Sequence, residues 1–269
     1  MNIITLTTDF GERDYFVGAI KGAIYSRIPQ GRIVDISHLI APFDVIQAAY
    51  VLKNAYIHFP KGSIHIIGVV SEQTPERKHL IMKLREHYFI GADNGIFNLL
   101  QENEQEEVEI YEVESNQSNL LFPALDFFPD IASEICKGTP LNKIGKATDS
   151  YKKTKPFLPE ISSDRRAIYG NIIYIDHYGN AVSNITRSLF YQVGENRPFE
   201  VIFSMYSFDK IHANFGGKIG EGSNFLLFNS VGYLQIGIFK SNLNTVGGAS
   251  TLLGIEYADK VSIRFQNKL

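Results

Sequence analysis

The first apolar run of the chain, Ile3-Ile4-Thr5-Leu6, is short and β-branched, and it ends in the polar stretch Thr7-Thr8-Asp9-Phe10-Gly11. That pattern predicts a strand followed by a turn. From Tyr15 the spacing becomes helical: Tyr15, Phe16, Ala19, Ile20, Ala23, Ile24 and Ile28 recur along one face until Pro29 and Gly31 stop it. Arg32–Ile36 reads as a second strand. Pro42-Phe43-Asp44 opens a second helix, with Val45, Ala48, Ala49, Leu52, Ala55 and Tyr56 on one side. Ser63–Val70 is a nearly continuous apolar strand, as expected where a parallel sheet is covered on both faces. The order so far is β-α-β-α-β, an α/β opening.

The polar stretch Ser71-Glu72-Gln73-Thr74-Pro75-Glu76-Arg77-Lys78 leaves the end of that strand, where α/β folds place their ligands. Leu80–Leu84 and Tyr88–Ile90 predict a tight hairpin around Arg85-Glu86-His87. Ala92-Asp93-Asn94-Gly95 is a turn before a short helix at Ile96–Leu100. Glu102–Glu107 reads as a solvated acidic turn and Val108–Val113 as a strand. Leu121–Phe128 reads as an apolar loop leading into a helix from Phe128 to Lys137, ended by Gly138.

Between Thr139 and Arg166 the periodicity fades and Pro140, Pro156 and Pro159 appear, the texture of a linker pinned to a surface. Beyond it, short alternating runs at Gly170–Ile175, Ala181–Ile185, Phe199–Phe203, Asn224–Phe228, Tyr233–Ile238 and Val261–Phe265 predict a small β-barrel or sandwich. The predicted organisation is an α/β N-terminal domain over 1–145, three-layered around a mostly parallel sheet, a linker over 146–166, and an all-β C-terminal domain over 167–269.

Composition narrows the class. With 44% hydrophobic residues the 269-residue chain can bury a core, and a net charge of −3 gives no electrostatic footprint for nucleic acid. No basic amphipathic stretch, membrane span or leader pattern is visible, so the expectation is a cytoplasmic protein with neither a nucleic-acid nor a membrane partner. Cys136, the single cysteine, lies in an apolar pattern and reads as a core residue. No Gly-x-Gly-x-x-Gly, phosphate loop or metal-ligand spacing is present, and His38 and His65 read as structural.

One side chain carries the candidate chemistry at this stage. Asp9 stands at the end of the first strand, where its two oxygens suit both hydroxyls of a ribose diol. The competing reading is a helix cap by Asp9 or Asp14.

A set of motifs, in order along almost the whole chain, resembles one family. In the N-terminal half these are Thr7-Thr8-Asp9-Phe10-Gly11, Val17-Gly18-Ala19-Ile20-Lys21-Gly22, Ile33-Val34-Asp35-Ile36-Ser37-His38, Pro42-Phe43-Asp44, Phe59-Pro60-Lys61-Gly62-Ser63-Ile64-His65 and Ala92-Asp93-Asn94-Gly95. In the C-terminal half they are Asp176-His177-Tyr178-Gly179-Asn180, Ser183-Asn184-Ile185 and Asn229-Ser230 with Gly232-Tyr233-Leu234. The chain is similar to the S-adenosylmethionine hydroxide adenosyltransferases, or SAM hydrolases, relatives of the fluorinating and chlorinating enzymes. The resemblance implies a C-terminal β-barrel, a homotrimer whose sites join one copy's N-terminal domain to a neighbour's C-terminal domain, and an adenosyl ligand. It implies that Asp9 binds the ribose, that Phe43 walls it, that Asp176, Tyr178 and Asn180 hold the methionine part and the adenine ring, and that Ser230 is another ligand contact. S-adenosylmethionine is then the substrate, with no cofactor and no metal.

The implied reaction is attack of water or hydroxide on the ribose C5′, with methionine leaving from the sulfonium. The hydrolase branch is credited with an Asp-Arg-His set for this step, and here the chain departs from the pattern. Ser71 occupies the aspartate position, either Arg77 or Lys78 the arginine position, and Pro123 the histidine position. Glu72 or Glu76 is a replacement base or a solvated loop acid. The minimal turn at 85–87 lacks the insertion of the halogenating relatives. Three readings follow: a SAM hydrolase with altered catalytic groups, a non-catalytic adenosine or adenosyl-ligand binder, or an enzyme for another adenosyl nucleoside.

Overall fold

A computed structural model of the chain describes residues 2–103, 105–115, 120–155, 158–216 and 219–266. Glu104 of the acidic turn and Pro156 of the linker fall outside them. The chain divides into two compact units, Met1–Pro156 and Phe157–Leu269.

In the first unit the elements are β1 (Ile3–Thr8), α1 (Phe16–Arg27), β2 (Arg32–Ser37), α2 (Val45–Tyr56), β3 (Ile64–Gly68), β4 (His79–Leu84), β5 (His87–Ala92), α3 (Ile96–Leu100), β6 (Val108–Val113), α4 (Pro123–Asp126), α5 (Phe128–Cys136), α6 (Leu141–Ile144) and β7 (Lys146–Ala147). The strands form one sheet in the order β2-β1-β3-β5-β4-β6-β7. From β2 to β5 the neighbours are parallel; from β5 to β7 they are antiparallel. The sheet is therefore mixed. The cause is local: Arg85 and Glu86 both adopt positive φ, 50° and 63°, the conformation of a two-residue hairpin turn, which returns β5 antiparallel to β4.

Alternation along the strands sorts their side chains onto two faces. Ile67, Leu80, Met82 and Phe89 pack with α2 and α3, whereas Ile66, Ile81 and Ile90 pack with α1, α4 and α5. Every residue of β3 is buried, which explains its continuous apolar reading. The loop expected at Leu121–Phe128 contains α4, which begins on Pro123, where a missing N–H costs nothing.

The expected linker contributes structure. Lys146 and Ala147 extend the sheet, Thr148 N–H reaches Ile110 O at 3.0 Å, and Lys152 N–H reaches Asp93 Oδ1 at 2.8 Å. These contacts carry the first unit's ordered chain past residue 145.

In the second unit, β8 (Glu160–Ile161), β9 (Ala167–Ile175), β10 (Ala181–Thr186), α7 (Arg187–Gly194), β11 (Phe199–Phe203), β12 (Tyr206–Phe208), β13 (Asn224–Phe228), β14 (Tyr233–Ile238), α8 (Ala249–Leu252) and β15 (Lys260–Phe265) follow. Among the described residues the named strands pair antiparallel, in the order β12-β11-β15-β9-β10-β14-β13, with β8 on β9. The chain after β12 returns to β13 through the bridge between His212 and Leu227. The sheet thus curls almost closed, like a barrel, around Ile168, Ile185, Val201, Leu226, Ile236 and Ile263. The helix α7 was not legible in a region read as strands. It spans 8 residues, Thr186 Oγ1 caps it by accepting Leu189 N–H at 3.2 Å, and Phe190 and Val193 enter the core. Among the described residues no helix is long and apolar enough to cross a membrane.

Candidate functional site

One group of candidate residues stands at the carboxyl ends of β1 and β3. These strands are adjacent and parallel, with Thr8 opposite Gly68, so Asp9 and the Val69–Ser71 segment leave the sheet side by side. Asp9 does not cap α1: the cap position is Tyr15, and it carries no side-chain bond. Instead Asp9 Oδ2 accepts the Phe43 N–H at 2.8 Å. Asp14 likewise makes no cap bond, while α2 is capped by Asp44, whose Oδ1 accepts Gln47 N–H. Burial raises the Asp9 carboxyl above its ordinary range, against the lowering effect of the Phe43 N–H, and the nearby negative charge of Glu72 adds to the rise.

Two strained residues flank this carboxylate. Phe43 has φ 66° and Val70 has φ 46°, a left-handed region disfavoured for residues with a Cβ and most of all for a β-branched one. At Phe43 the strain turns an N–H onto Asp9 and leaves a phenyl ring 71% exposed. Such a ring has no packing reason to face solvent. At Val70 the strain bends the chain so that buried Ser71 directs its carbonyl to His79 Nε2, at 3.0 Å. Asn94 secures the same bend by donating Nδ2–H to Val69 O and accepting Ile96 N–H.

The loop after Ser71 separates the two basic candidates. Arg77 pairs across a tight bridge between Thr74 and Arg77, with Nη1 3.3 Å from Glu72 Oε2. Lys78 turns away to Glu112 Oε2 on β6, at 2.6 Å. Only Arg77 is thereby tied to Glu72, the acid whose field reaches Asp9. Pro123 is buried as the first residue of α4. The preceding Phe122 packs edge-on to Phe10 at 5.2 Å and to Phe16 at 5.5 Å.

A histidine first read as structural fixes this strand end. His38 accepts the Gly11 N–H on its carbonyl at 2.8 Å, and its Nδ1 lies 2.8 Å from Thr8 Oγ1. Its Nε2 is 3.1 Å from Asp35 Oδ1, and Asp35 also holds Lys21 at 2.5 Å. Burial opposes ionisation of Asp35, but Lys21 and His38 outweigh it and hold the carboxyl below its ordinary value. One residue thus clasps both ends of Thr8–Gly11. The sequence signal was the polar Ser-His pair closing an apolar strand.

A second group of candidate residues lies in the second unit, in a turn between β9 and β10. Asp176 organises it: Oδ1 accepts the N–H groups of Tyr178 and Asn180, both at 2.9 Å, and Oδ2 accepts Asn180 Nδ2–H at 2.8 Å. A carboxylate can only accept, so this contact fixes the amide orientation of Asn180. Its Oδ1 is then buried without a partner. Gly237 makes room for it, since a Cβ there would sit 2.2 Å from that oxygen. Tyr178 stands out, 62% exposed. Ser230 lies elsewhere, in the exposed turn joining β13 to β14. Pairing of Ala181 with Ile236 and of Thr186 with Tyr233 sets Ser230 at the other end of β14, ~14 Å along the strand from Gly237. The structure thus groups Asp176, Tyr178 and Asn180, and sets Ser230 apart from them.

Profiles of known families match both halves. The SAM hydroxide adenosyltransferase N-terminal domain matches residues 4–145 and its C-terminal domain matches residues 170–262. The chain belongs to the SAM hydroxide adenosyltransferase family. Within that family it is similar to the (R)-S-adenosyl-L-methionine hydrolase of Methanocaldococcus jannaschii, with 30% identity covering 98% of this chain and 96% of the relative. It is also similar to the enzyme of the same name from Salinispora tropica, with 24% identity covering 97% of each. Among solved structures, an uncharacterized conserved protein from Thermotoga maritima superimposes with a TM-score of 0.83 at 26% identity, over 98% of this chain and all of that one.

Proposed function

We propose that this family member binds S-adenosyl-L-methionine and hydrolyses it to adenosine and L-methionine. The single observation that carries the reading is the half-buried Asp9 carboxylate at a strand end, its Oδ2 on the Phe43 N–H, an acceptor of the kind that suits a sugar hydroxyl. Full-length similarity to hydrolases supports the same substrate. Phe43 supplies the wall beside the ribose. The orphan acceptor of Asn180 suits the exocyclic amine of adenine, Tyr178 suits its ring face, and Asp176 holds both in place. Ser230, at the far end of β14, suits the methionine end of an extended ligand.

In the reaction a water oxygen bonds to C5′ as the C5′–S bond breaks. The bonding pair returns to sulfur, giving neutral methionine, and the water's proton passes to a base. A sulfonium leaves readily, so the protein's task is alignment, dehydration and proton acceptance. Arg77 and its partner Glu72 stand at the strand end for that task, with Ser71 beside them; the position of Lys78 against Glu112 favours a structural role for it. The substrate is its own leaving-group carrier, and no cofactor enters. The assembly we propose is a homotrimer in which neighbouring copies complete each other's site, working in the cytoplasm.

A second reading, a non-catalytic binder of adenosine or an adenosyl ligand, rests on buried Pro123 and on Ser71, neither of which can take a proton from water at neutral pH. One experiment separates the two. Purified protein is mixed with S-adenosylmethionine, adenosine is followed by chromatography, and binding is followed by calorimetry. Adenosine release that falls at least 100-fold in Asp9→Ala supports the enzyme. Heat of binding without adenosine supports the binder. No binding of any adenosyl compound overturns both.

A further inference from the structure

A cleft of about 590 Å³ in the second unit joins an aromatic floor to a cationic rim. Its apolar floor is four aromatic rings: Phe190 packs against Phe199 at 5.0 Å, Phe228 at 5.5 Å and Phe265 at 5.6 Å. Its rim is cationic. Arg187, Arg197, Lys210 and His212 line it, against one carboxylate, Asp209. The protein as a whole carries −3, so this is a local reversal of charge.

The two guanidinium groups are held in place without neutralisation. Arg187 lies over the Phe228 ring at 5.5 Å and gives one Nη2–H to Phe228 O at 3.3 Å. Arg197 lies over the Phe265 ring at 5.1 Å, and its Nε and Nη2 donate to the carbonyls of Gly194, Arg165 and Val193. Among the described residues, the ion pairs of the protein include none with Arg187, Arg197 or Lys210. Nη1 of each arginine stays unspent. Cations ordered on ring faces over an apolar floor, with no carboxylate to satisfy them, form a receptor for an anion that carries a ring. The volume falls in the range of small-molecule sites.

We propose that this cleft is a binding site for a small ring-bearing anion, an aryl or purine phosphate, with the ring on the phenylalanine floor and the anion between Arg187 and Lys210. The proposal stands independently of the hydrolase reading. The test is calorimetry with phenyl phosphate, adenosine 5′-monophosphate and inorganic phosphate, each with and without saturating S-adenosylmethionine. Phenyl phosphate is expected to bind at least 10-fold more tightly than inorganic phosphate, whether or not S-adenosylmethionine is present. Lys210→Glu, an exposed substitution that leaves the core intact, should weaken it at least 10-fold, and Arg187→Ala likewise. Tighter binding of the monophosphate than of phenyl phosphate would make a nucleotide the natural source; the reverse order would point to a simple aryl phosphate. Equal affinity for inorganic phosphate, indifference to Lys210→Glu, or displacement by S-adenosylmethionine would overturn the proposal.

Discussion

Phe43 shows how far a single residue can be read from its backbone angle. A left-handed φ costs a residue with a Cβ about 1–2 kcal/mol, and nothing in packing repays it, because the ring is 71% exposed. Glycine would remove that cost while losing about 0.5–1 kcal/mol to its greater freedom in the unfolded chain. Phe43→Gly is therefore expected to leave stability unchanged or raise it by up to about 1 kcal/mol in urea unfolding, while adenosine affinity falls at least 10-fold. A loss of stability with unchanged affinity would place the ring in packing instead. Asn180 teaches the complementary lesson. Its proposed role depends on an unpaired oxygen, which exists because Asp176 consumes the other end of the amide.

At the scale of elements, the β4–β5 hairpin and the histidines beneath α2 each make a testable contribution to the stability of the first unit. Glu86 sits at φ 63° in a two-residue turn, where glycine is favoured. Its ion pair with Lys61 is exposed on both sides and worth little. Glu86→Gly should raise the denaturant midpoint by an amount equivalent to roughly 1 kcal/mol. A lower midpoint would mean the pair matters more than the turn.

Beneath α2, His65 Nδ1 meets Thr5 Oγ1 at 2.7 Å and Nε2 meets His87 Nδ1 at 3.1 Å, with Tyr56 and Phe89 packed on the rings. Burial, reinforced by His87, lowers His65 from 6.5 to about 3. Burial lowers His87 and His79 as well. In the unfolded chain these rings take up protons below about 6.5; in the folded chain they resist. The contribution of His65 is thus fully present above that pH and declines as pH falls from 6.5 toward 3, by about 1.4 kcal/mol per unit, and His87 and His79 act in the same direction. Calorimetric melting from pH 7 to 4.5 should show this slope, and His65→Gln, which bonds without titrating, should flatten it. An unchanged slope in that variant would show that other groups dominate.

For the molecule as a whole, the proposed function requires the Asp9 group of one copy to act with the Asn180 group of a neighbour. Sedimentation at micromolar concentration is expected to give three times the chain mass of 30.3 kDa. A monomer at that concentration would leave the Asp9 and Asn180 half-sites without the neighbours that the proposed mechanism needs.

What the chain alone determined follows from period and order. The β-α-β-α-β opening, the change of texture before residue 167 and the strand-rich second half are written in hydrophobic spacing, because burial imposes a period of two on strands and 3.6 on helices. The ordered motifs also put Asp9, Phe43, Asp176, Tyr178, Asn180 and Ser230 on the page as candidates. What spacing does not carry is direction. Whether Asp9 caps a helix or turns to Phe43 N–H, and whether Arg77 or Lys78 meets Glu72, depends on which neighbours the folded backbone brings within 3–4 Å. The helix α7 and the partners of His38 were equally hidden. Each depends on contacts between residues far apart in the chain or on a positive φ at a residue that gives no sign of it, and only the tertiary structure fixes those.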